Sequence, residues 1–356
     1  MRKFKKIVVF CPYPVGSAPG QRFRYEQYLD FLKESYVLEI IPFLDQKTND
    51  VLYKSGHYFQ KLIGVLKGFL FRFFSLPKAI SADFIFVFRE ASPVGLPLIE
   101  WLLVKVFRKR IIYDFDDAIW LPNTSTENKV ATFFKFHQKV ESICRWSYKV
   151  SCGNRFLAAY ASSFNDSVIV NPTTIDTQKH HNQLKEQATD KVVIGWTGTH
   201  STIKYLSIVA PVLDKLSKNL NIEIVIICNK KPSLGFDFTF IPWTKAQEIE
   251  DLLKINIGIM PLSDDEWTKG KCGFKALQYM ALGIPAVVSP VGVNVQIVDH
   301  AKNGFHCNTE ESWYNTLVRL IKDVDLRREI GRNAREKVIE NYSVESNKDN
   351  FLSLFK

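Results

Sequence analysis

The sequence predicts an α/β protein with two parallel β-sheets, each covered by helices on both faces. Short apolar segments that suit buried strands alternate with longer segments of helical periodicity along nearly the whole chain. The alternation occurs twice, separated by a polar, non-periodic stretch at residues 171–187. The 356 residues suffice for two domains of ordinary size. We therefore expect two Rossmann-like domains facing an interdomain cleft, with ligands at the carboxyl ends of the strands.

The first half of the chain supplies the elements of one sheet. Strands are predicted at Lys6–Cys11, Tyr36–Ile41, Asp83–Arg89, Arg110–Tyr113, Lys149–Cys152 and Val168–Val170. Helices are predicted at Arg22–Lys33, Tyr58–Phe74, Pro97–Phe107 and Thr132–Tyr148. Because apolar strands between helices are typical of parallel sheets, this half should form one doubly covered layer.

The second half repeats the pattern. Strands should begin at Val192, Ile222, Ile257 and Ala286, and helices are predicted at Tyr205–Leu216, Ala246–Leu253, Phe274–Leu282 and Arg327–Tyr342. The resulting domains are residues 1–172, a linker at 173–190, residues 191–340, and a tail at 341–356. We expect the tail to pack back on the first domain.

The distribution of charge suggests a class of partner, and the cysteines suggest a cellular compartment. Of the net charge of +10, residues 1–176 carry +8, which suggests an anionic partner such as a membrane face, a nucleic acid or a phosphorylated substrate. A solvated basic surface is the simpler alternative. The six cysteines are scattered without metal-ligand spacing, so we expect a reducing compartment and no zinc site.

The segment Tyr58–Phe74 is rich in both aromatic and basic residues. Lys61, Lys67 and Arg72 interrupt it, and a spanning helix needs roughly 20 apolar residues, so it should not cross a membrane. It could lie on a membrane surface, or it could be an amphipathic core helix.

The stretch GKCGFKALQYMALGIP, residues 270–285, begins a helix with glycines and lysines. The first turn of a helix has free N–H groups and a partial positive charge, and Gly273 would let a diphosphate approach that backbone closely. Lys271 and Lys275 could add full charges, and Gln278 shares a face with Lys275. A helix whose lysines are merely solvated is the alternative.

Several motifs together resemble GT-B glycosyltransferases, particularly glycosyltransferase family 4. LQYMALGIPAVVSPVG looks like the donor-site helix of that family, and IGWTGTHSTIKYL looks like its glycine-rich strand-to-helix turn. VIVNPTTID is similar to the segment that ends the N-terminal domain, and IIYDFDDAIW to a strand and catalytic loop in a subset of these enzymes. The resemblance covers nearly the whole chain. It implies transfer of a sugar from a nucleotide-diphospho-sugar, with retention of configuration, no metal and no other cofactor.

The resemblance also implies a donor site. The residues assigned to it are Gly16, Gly198, Lys204, Trp243, Lys271, Gly273, Phe274, Lys275 and Gln278. Amides around Gly273 and the charges of Lys204 and Lys275 would hold the diphosphate, and Gln278 stands where the family has a ribose-binding glutamate. Gly270 stands where a second glutamate would contact the sugar, so Asp264 or Asp265 would have to supply that carboxylate.

Catalytic and acceptor-binding residues are expected in the first half. Asp116 occupies the place of an active-site histidine beside the transferred sugar, and Asp117 and Glu90 are the other catalytic candidates. Arg22, Arg24 and Asp114 are candidates for contacting the acceptor. Loop capping by the aspartates and a solvated arginine pair are the structural alternatives.

Other functions remain open at this stage. Asp114 and Asp116 could form a DxD metal site, but the helix and lysines of the second half already provide for the diphosphate. A GT-B sugar-nucleotide epimerase, or a non-catalytic partner protein with a decayed donor site, would have similar sequences. Nucleic-acid binding has no motif to support it. The expected setting is cell-surface polysaccharide or glycolipid assembly with a saccharide or lipid-linked acceptor, in the cytoplasm at the inner membrane face, with possible peripheral membrane contact.

Overall fold

Two compact units make up the chain. A computed structural model describes residues 4–52, 54, 56–122 and 135–356. The first unit runs to residue 173 and also includes residues 348–356, and the second comprises residues 174–347. Each unit contains a six-stranded sheet in which all neighbouring strands pair in parallel, so the predicted α/β class is confirmed.

The sheet of the first unit has the strand order β2-β1-β3-β4-β5-β6. Its strands are β1 (Lys5–Cys11), β2 (Tyr36–Pro42), β3 (Phe84–Phe88), β4 (Ile111–Phe115), β5 (Lys149–Cys152) and β6 (Val168–Val170). Strands β3 and β4 are buried along their whole length. Their continuous apolar sequences therefore reflect burial on both faces of the sheet.

The helices of the first unit follow the prediction in part. Its α-helices are Pro19–Arg24, Leu29–Lys33, Gln46–Val51, Tyr58–Phe74, Leu76–Ile80, Leu98–Trp101, Lys139–Trp146 and Arg155–Ser162. The helix Tyr58–Phe74 is confirmed. The single helix predicted at Arg22–Lys33 is wrong, because the backbone of Tyr25 departs from helical angles and a 3-10 turn, Glu26–Tyr28, follows.

Two further predicted helices differ from the structure. The segment predicted at Pro97–Phe107 is α-helical only as far as Trp101 and continues as a π-helix, Leu102–Val106. The helix predicted at Thr132–Tyr148 is present as Lys139–Trp146, and residues 132–134 lie outside the described residues.

The sheet of the second unit has the order β12-β11-β10-β7-β8-β9. Its strands are β7 (Val192–Gly198), β8 (Ile222–Cys228), β9 (Thr239–Pro242), β10 (Ile257–Met260), β11 (Ala286–Val288) and β12 (Gly304–His306). The apolar core on this sheet includes Trp196, Leu213, Ile226 and Trp313. Strands β9 and β12, which lie at the two edges, were not among the predicted elements.

The α-helices of the second unit differ from the prediction in two ways. These helices are Ala210–Asn219, Glu248–Leu252, Glu266–Lys269, Phe274–Ala281, Asn294–Ile297, Glu310–Lys322 and Val324–Asn341, and Val344–Leu352 follows near the chain end. The helix predicted at Tyr205–Leu216 is wrong, because a 3-10 helix, His200–Ile208, comes first and the α-helix begins only at Ala210. Glu266–Lys269, Asn294–Ile297, Val344–Leu352 and Glu310–Lys322 were not predicted, and the longest of them is Glu310–Lys322. It is marked in the sequence by a reciprocal cap between Thr309 and Ser312 and by buried Trp313 and Leu317 at helical spacing.

Most of the segment predicted to be a linker, residues 173–190, packs within the second unit, which begins at Thr174. Arg335 donates from Nη2 to the carbonyl of Thr177 at 2.9 Å, and Arg327 donates to the carbonyl of Gln187 at 2.9 Å. At the chain end, the ring of Phe351 stacks on Tyr28 with centroids 4.3 Å apart. None of the helices in the described ranges combines the length and apolarity needed to cross a bilayer.

Candidate active site

In the first unit, the predicted site residues gather at the carboxyl ends of three neighbouring strands. Strands β1, β3 and β4 lie side by side, so the loops after Cys11, Phe88 and Phe115 meet at one edge of the sheet. The loop after β1 approaches the carboxylates closely: a Cβ atom on Gly20 would lie 3.0 Å from Oδ2 of Asp116. This edge is where ligands of such sheets bind.

Arg89 binds the carboxylates of Asp116 and Asp117, which directly follow β4. Its Nε donates to Oδ1 of Asp116 at 2.7 Å, and its Nη2 donates to Oδ2 of Asp117 at 2.7 Å. Arg89 has a φ of +58°, which is unusual for a residue with a side chain, and its amide donates to the carbonyl of Asp114 at 2.7 Å. Sequence reasoning did not assign a role to Arg89; its position directly after β3 was the available signal.

The arginine keeps Asp116 ionised. Burial alone would raise the pKa of Asp116, but the charge of Arg89 and its hydrogen bond outweigh burial and lower the pKa below its usual value. Asp116 is therefore a negative charge near neutral pH and does not serve as a proton donor there. Repulsion among the aspartates, noted from the sequence, is offset by the guanidinium.

Arg24 and Asp114, the other two predicted acceptor contacts, are buried and bonded to each other, and their assignment to the acceptor stays a prediction. Their side chains are each 1% exposed, and the guanidinium donates to both carboxylate oxygens. Ser151 donates to the same carboxylate at 2.5 Å, and Arg24 also donates to the carbonyl of Asn171. The pair joins the first helix to β4, β5 and the end of β6 and so holds the site's scaffold.

Glu90 also lies in an ion pair. Its carboxylate is 2.6 Å from Nζ of Lys139, which in turn donates to the carbonyl of Ser92 at 2.8 Å. Nearby Glu100 accepts from the amide of Ala91 at 2.9 Å, and burial raises the pKa of Glu100. Glu90 stays a catalytic candidate, but a lysine already neutralises it.

Hydrogen bonds within the segment after β1 hold the loop at Gly16 and the start of the helix Pro19–Arg24 in place. Gly16 has a φ of +79°, and its amide donates to Glu26 at 2.8 Å. Gln21 is buried and bonds the backbone of Tyr13 in both directions. The guanidinium of Arg22 lies 4.9 Å from the ring of Phe23 and is only partly buried. Arg22 is therefore the accessible member of the predicted arginine pair.

In the second unit, Gly273 starts the helix Phe274–Ala281. It has a φ of +69°, and a Cβ atom at this position would lie 2.1 Å from Cδ1 of Ile297. Both the backbone angle and the lack of space therefore require glycine here. The first-turn amides of the helix are left without a side-chain cap from Gly273.

Lys275 lies close to both glycine motifs of this unit, the turn at Gly198 and the helix start at Gly273. Its Nζ lies 5.5 Å from the ring centroid of Trp196 on β7, and a Cβ atom on Gly198 would lie 2.8 Å from its Cε. Burial raises the pKa of the Cys228 thiol at the end of β8, and the charge of Lys275 partly opposes that rise. The lysine is thus positioned where the helix start meets the ends of β7 and β8.

Of the other two lysines assigned to the donor, Lys204 lies in the 3-10 helix His200–Ile208 that follows β7, and Lys271 lies in the loop before Gly273. Lys204 is exposed, with Nζ 5.2 Å from the ring of Tyr205, and its charge acts on Asp265. The Nζ of Lys271 lies 5.6 Å from the ring of Trp267.

The aspartates considered as substitutes at Gly270 differ from each other. Asp265 caps the short helix Glu266–Lys269, accepting from the amide of Thr268 at 2.8 Å and from Ser263 at 2.6 Å. Burial alone would raise the pKa of Asp265, but these hydrogen bonds outweigh it and lower the pKa. Asp264 is 71% exposed, with Lys269 at 3.6 Å.

Gln278 and Trp243 occupy contrasting environments. Gln278 is 2% exposed within the helix Phe274–Ala281, one turn after Lys275. Trp243 follows β9, where its amide donates to the carbonyl of Cys228 at 3.0 Å and its indole to Glu248 at 3.3 Å. His200 is clamped by Asn229, which accepts from its amide and bonds its Nδ1.

No group of three or more histidine, cysteine or acidic side chains is arranged to hold a metal ion within residues 4–122, except 53 and 55, or within residues 135–356. The six cysteines all lie among the described residues and are buried thiols outside any disulfide. Asp114, Asp116 and Asp117 are bonded to guanidinium groups, which compete with any cation for the same oxygens.

Comparison with known proteins agrees with this geometry. Residues 176–337 match the family model of glycosyl transferases group 1. N-acetyl-alpha-D-glucosaminyl L-malate synthase of Bacillus anthracis is 28% identical over 103 residues, which are 28% of this chain. That match spans about a quarter of the relative's length, 26%.

Solved structures resemble the whole chain. Sucrose-phosphate synthase from Thermosynechococcus elongatus has a TM-score of 0.71 at 13% identity, covering 99% of this chain and 98% of its own. HepE from Anabaena, in complex with UDP and glucose, has a TM-score of 0.68 at 12% identity, covering 98% of both chains. At such identities the similarity shows the fold. Residues 176–337 therefore match the glycosyl transferases group 1, and the chain as a whole has the GT-B fold of these solved structures.

Proposed function

We propose that this protein transfers a sugar from a nucleotide-diphospho-sugar to a hydroxyl group of a saccharide or lipid-linked acceptor. The observation that carries the proposal is the meeting of Gly273, Lys275 and Gly198 at the strand ends of the second unit. A helix start, a lysine and a glycine turn at one place form an anion site suited to a diphosphate. HepE, which shares the fold, binds UDP and glucose.

The donor is held mainly by charge and backbone amides. Amides after Gly273 and the ammonium groups of Lys275, Lys204 and Lys271 bind the diphosphate oxygens. Trp243 borders the nucleobase, since it lies at the end of β9 with its backbone anchored to β8. Gln278, one turn after Lys275, accepts from a ribose hydroxyl through its carbonyl oxygen when the helix start admits the nucleotide.

The chemical step breaks the bond between the anomeric carbon and the diphosphate oxygen. The acceptor oxygen forms the new bond on the same face, and its proton passes to the departing phosphate, so configuration is retained without a protein nucleophile. Positive charge develops on the anomeric carbon. An ionised Asp116 is suited to stabilise that charge, and Asp117 to accept from a hydroxyl of the acceptor.

The proposed reaction needs no metal or other cofactor. Cationic side chains and helix amides of the second unit neutralise the leaving diphosphate, which is the task that Mg²⁺ performs in metal-dependent transferases. In the first unit, Arg24 binds Asp114 and Arg89 binds Asp116, the two carboxylates that a DxD metal would require. Guanidinium binding there favours an electrostatic role for the carboxylates.

The proposed setting is polysaccharide or glycolipid assembly at the cytoplasmic face of a membrane. The cationic first half of the chain, +8 over residues 1–176, suits acceptors that carry phosphate or sit in an anionic bilayer. The partners are then the donor, the acceptor and the membrane surface, and nucleic acid is not among them.

The transfer reaction is tested by incubating the protein with the nucleotide-sugar that binds it and with acceptors bearing free hydroxyls. Proton NMR of the product reports the anomeric configuration. A product with the donor's configuration, formed only with acceptor, supports the proposal. Release of free nucleotide and a changed sugar without acceptor would instead identify an epimerase, and an inverted product would contradict the retaining step.

A further inference from the structure

The helix Tyr58–Phe74 is packed with its small residues inward and its large apolar residues outward. Gly64, Gly68 and Arg72 are buried, whereas Tyr58, Phe59 and Phe74 are 80%, 76% and 73% exposed. The usual arrangement of a surface helix on a soluble domain is the reverse. The apolar face of this 17-residue helix is therefore directed to solvent.

This orientation is fixed by the inward face. A Cβ atom on Gly64 would lie 2.2 Å from Oγ1 of Thr48, and one on Gly68 would lie 2.7 Å from the carbonyl of Phe43. Neither contact leaves room for a side chain. Rotation of the helix to bury its aromatic residues would place large groups where only glycine fits, so the exposed face belongs to the fold.

The exposed face is broad and extends to a second segment. At 3.6 residues per turn, Tyr58, Phe59, Leu62, Leu66, Phe73 and Phe74 fall within about 160° of the helix circumference, and the helix is about 25 Å long. Around the neighbouring helix, Leu96, Leu98 and Val106 are 53%, 60% and 52% exposed. The two segments approach each other where a Cβ atom on Gly95 would lie 4.0 Å from the ring of Phe69.

Basic residues predominate in the sequence around this face. Residues 51–82 contain five lysines and arginines and no aspartate or glutamate. Lys105 and the run from Arg108 to Arg110 follow the second segment. A wide apolar stripe with aromatic residues and a cationic border is the pattern of helices that lie in the interface of an anionic bilayer.

A groove beside the helix also suits a lipid. A cavity of about 630 Å³ opens between the helix and β2, the edge strand of the first sheet. Ile40, Phe43 and Phe74 contribute apolar walls, and two lysines, Lys67 and Lys78, line it together with the acidic residues Glu39 and Asp45. Lys78 lies 2.6 Å from Glu39, whereas Lys67 is exposed. Apolar walls with ammonium groups match a hydrocarbon chain that carries a phosphate.

We propose that the face formed by Tyr58–Phe74 and residues 96–107 docks in the plane of a bilayer that contains anionic phospholipids. The aromatic side chains enter the boundary between headgroups and acyl chains, and Lys61, Lys67 and Lys78 contact lipid phosphates. The inference rests on the proposed function, which names a membrane surface as a partner, and assigns the contact to a face that contains none of the residues assigned to donor binding or catalysis.

The first test is co-sedimentation of the full-length protein with vesicles of phosphatidylcholine alone or mixed with phosphatidylglycerol. We expect binding to the anionic vesicles that weakens with salt. Lys61→Glu/Lys67→Glu should lower that binding by at least about tenfold, since each cation near the surface contributes to attraction. The matched control, Lys302→Glu/Lys322→Glu on the second unit, should bind like wild type. Equal loss in both variants would overturn the assignment to this face.

A second pair of variants tests the apolar contact. Phe59→Ser should weaken binding to anionic vesicles even in high salt, whereas Ile339→Ser, which alters an exposed apolar residue of the second unit, should not. Absence of vesicle binding by wild type would overturn the proposal, as would a dimer in size-exclusion chromatography that Phe59→Ser dissociates. Transfer to a soluble acceptor, measured on the same variants, should be unchanged; this separates failure of docking from failure of the proposed reaction.

Discussion

The Nε atom of Arg89 lies 2.7 Å from Oδ1 of Asp116, at the carboxyl ends of two paired strands. This contact lowers the pKa of Asp116 against the effect of burial and fixes the orientation of its carboxylate. It also gives a physical reason for an unfavourable backbone conformation at Arg89, whose φ is +58°. The first unit thus maintains a charged, oriented carboxylate at its ligand-binding edge.

Replacing Asp116 by asparagine should remove catalysis while leaving donor binding. Asp116→Asn preserves the size of the side chain but removes the negative charge proposed to stabilise the transition state. We expect the rate of transfer to fall by about 10²–10³-fold, as for loss of one well-placed electrostatic group. Nucleotide affinity, measured by calorimetry, should change less than about twofold.

The exposed Asp30→Asn, also in the first unit, is the matched control for loss of one carboxylate. It should retain near wild-type rates. If Asp116→Asn also retains transfer while folded, Asp116 only caps and braces the loop, and the electrostatic role is wrong.

Replacing Gly273 by alanine should damage the start of the donor helix. The new Cβ atom would meet Ile297, and the left-handed backbone would be strained by about 1–3 kcal/mol. We expect nucleotide affinity to fall by at least about tenfold, together with a lower melting temperature. Gly235→Ala, where nothing lies within 4 Å of the added atom, is the control and should leave both quantities near wild type.

Lys275 and Gln278 should be distinguishable by comparing a nucleoside diphosphate with its nucleoside. Lys275→Met removes a charge from the phosphate site, so affinity for the diphosphate should fall about tenfold or more and affinity for the nucleoside should not change. Gln278→Ala should weaken both ligands, because it acts on the ribose. Equal nucleoside binding by Gln278→Ala and wild type would remove the ribose assignment.

Arg72 should be required for folding of the first unit. Its guanidinium is 1% exposed and donates to the carbonyls of Ala91, Ile41 and Cys11 at 2.9, 2.7 and 3.2 Å. Burial lowers the pKa of Arg72 to about 10, so it remains charged at neutral pH. Arg72→Met leaves buried carbonyls without donors, and we expect a loss of about 3–5 kcal/mol in the free energy of unfolding.

Urea denaturation measures that loss. Lys67→Met, an exposed change in the same helix, should stay within about 0.5 kcal/mol of wild type. A similar, small effect of both substitutions would show that the carbonyls find other partners and that Arg72 does not hold the strand ends together.

Much of the fold was predictable because buried parallel strands leave a strong signal. The apolar runs at Ile7–Cys11 and Ile222–Cys228 are strands in the structure, and Tyr58–Phe74 is a helix over the predicted range. The short edge strands β9 and β12 were missed, since three or four partly exposed residues give little periodicity. The break at Tyr25 follows from packing of the first unit, where its ring lies 5.5 Å from Phe86, and no turn residue marks it.

The candidate site was predicted less completely. Gly273 was identifiable because a glycine at the start of an apolar helix lets an anion approach the first-turn amides closely. The pairing of Arg24 with Asp114 spans 90 residues, and that of Arg89 with Asp116 spans 27, so neither appears in local sequence patterns. The outward face of Tyr58–Phe74 was likewise hidden, because periodicity shows an apolar stripe without showing which side is buried.

The central claim is a metal-independent nucleotide-diphosphate site at the helix start after Gly273. It is tested most directly by a thermal-shift panel of UDP-, GDP-, ADP-, dTDP- and CMP-sugars, each with and without EDTA. We predict stabilisation by one nucleotide family, unchanged by EDTA and absent in Gly273→Ala. Stabilisation that disappears with EDTA would place the diphosphate on a metal and contradict the mechanism, and no stabilisation by any nucleotide-sugar would contradict donor binding itself.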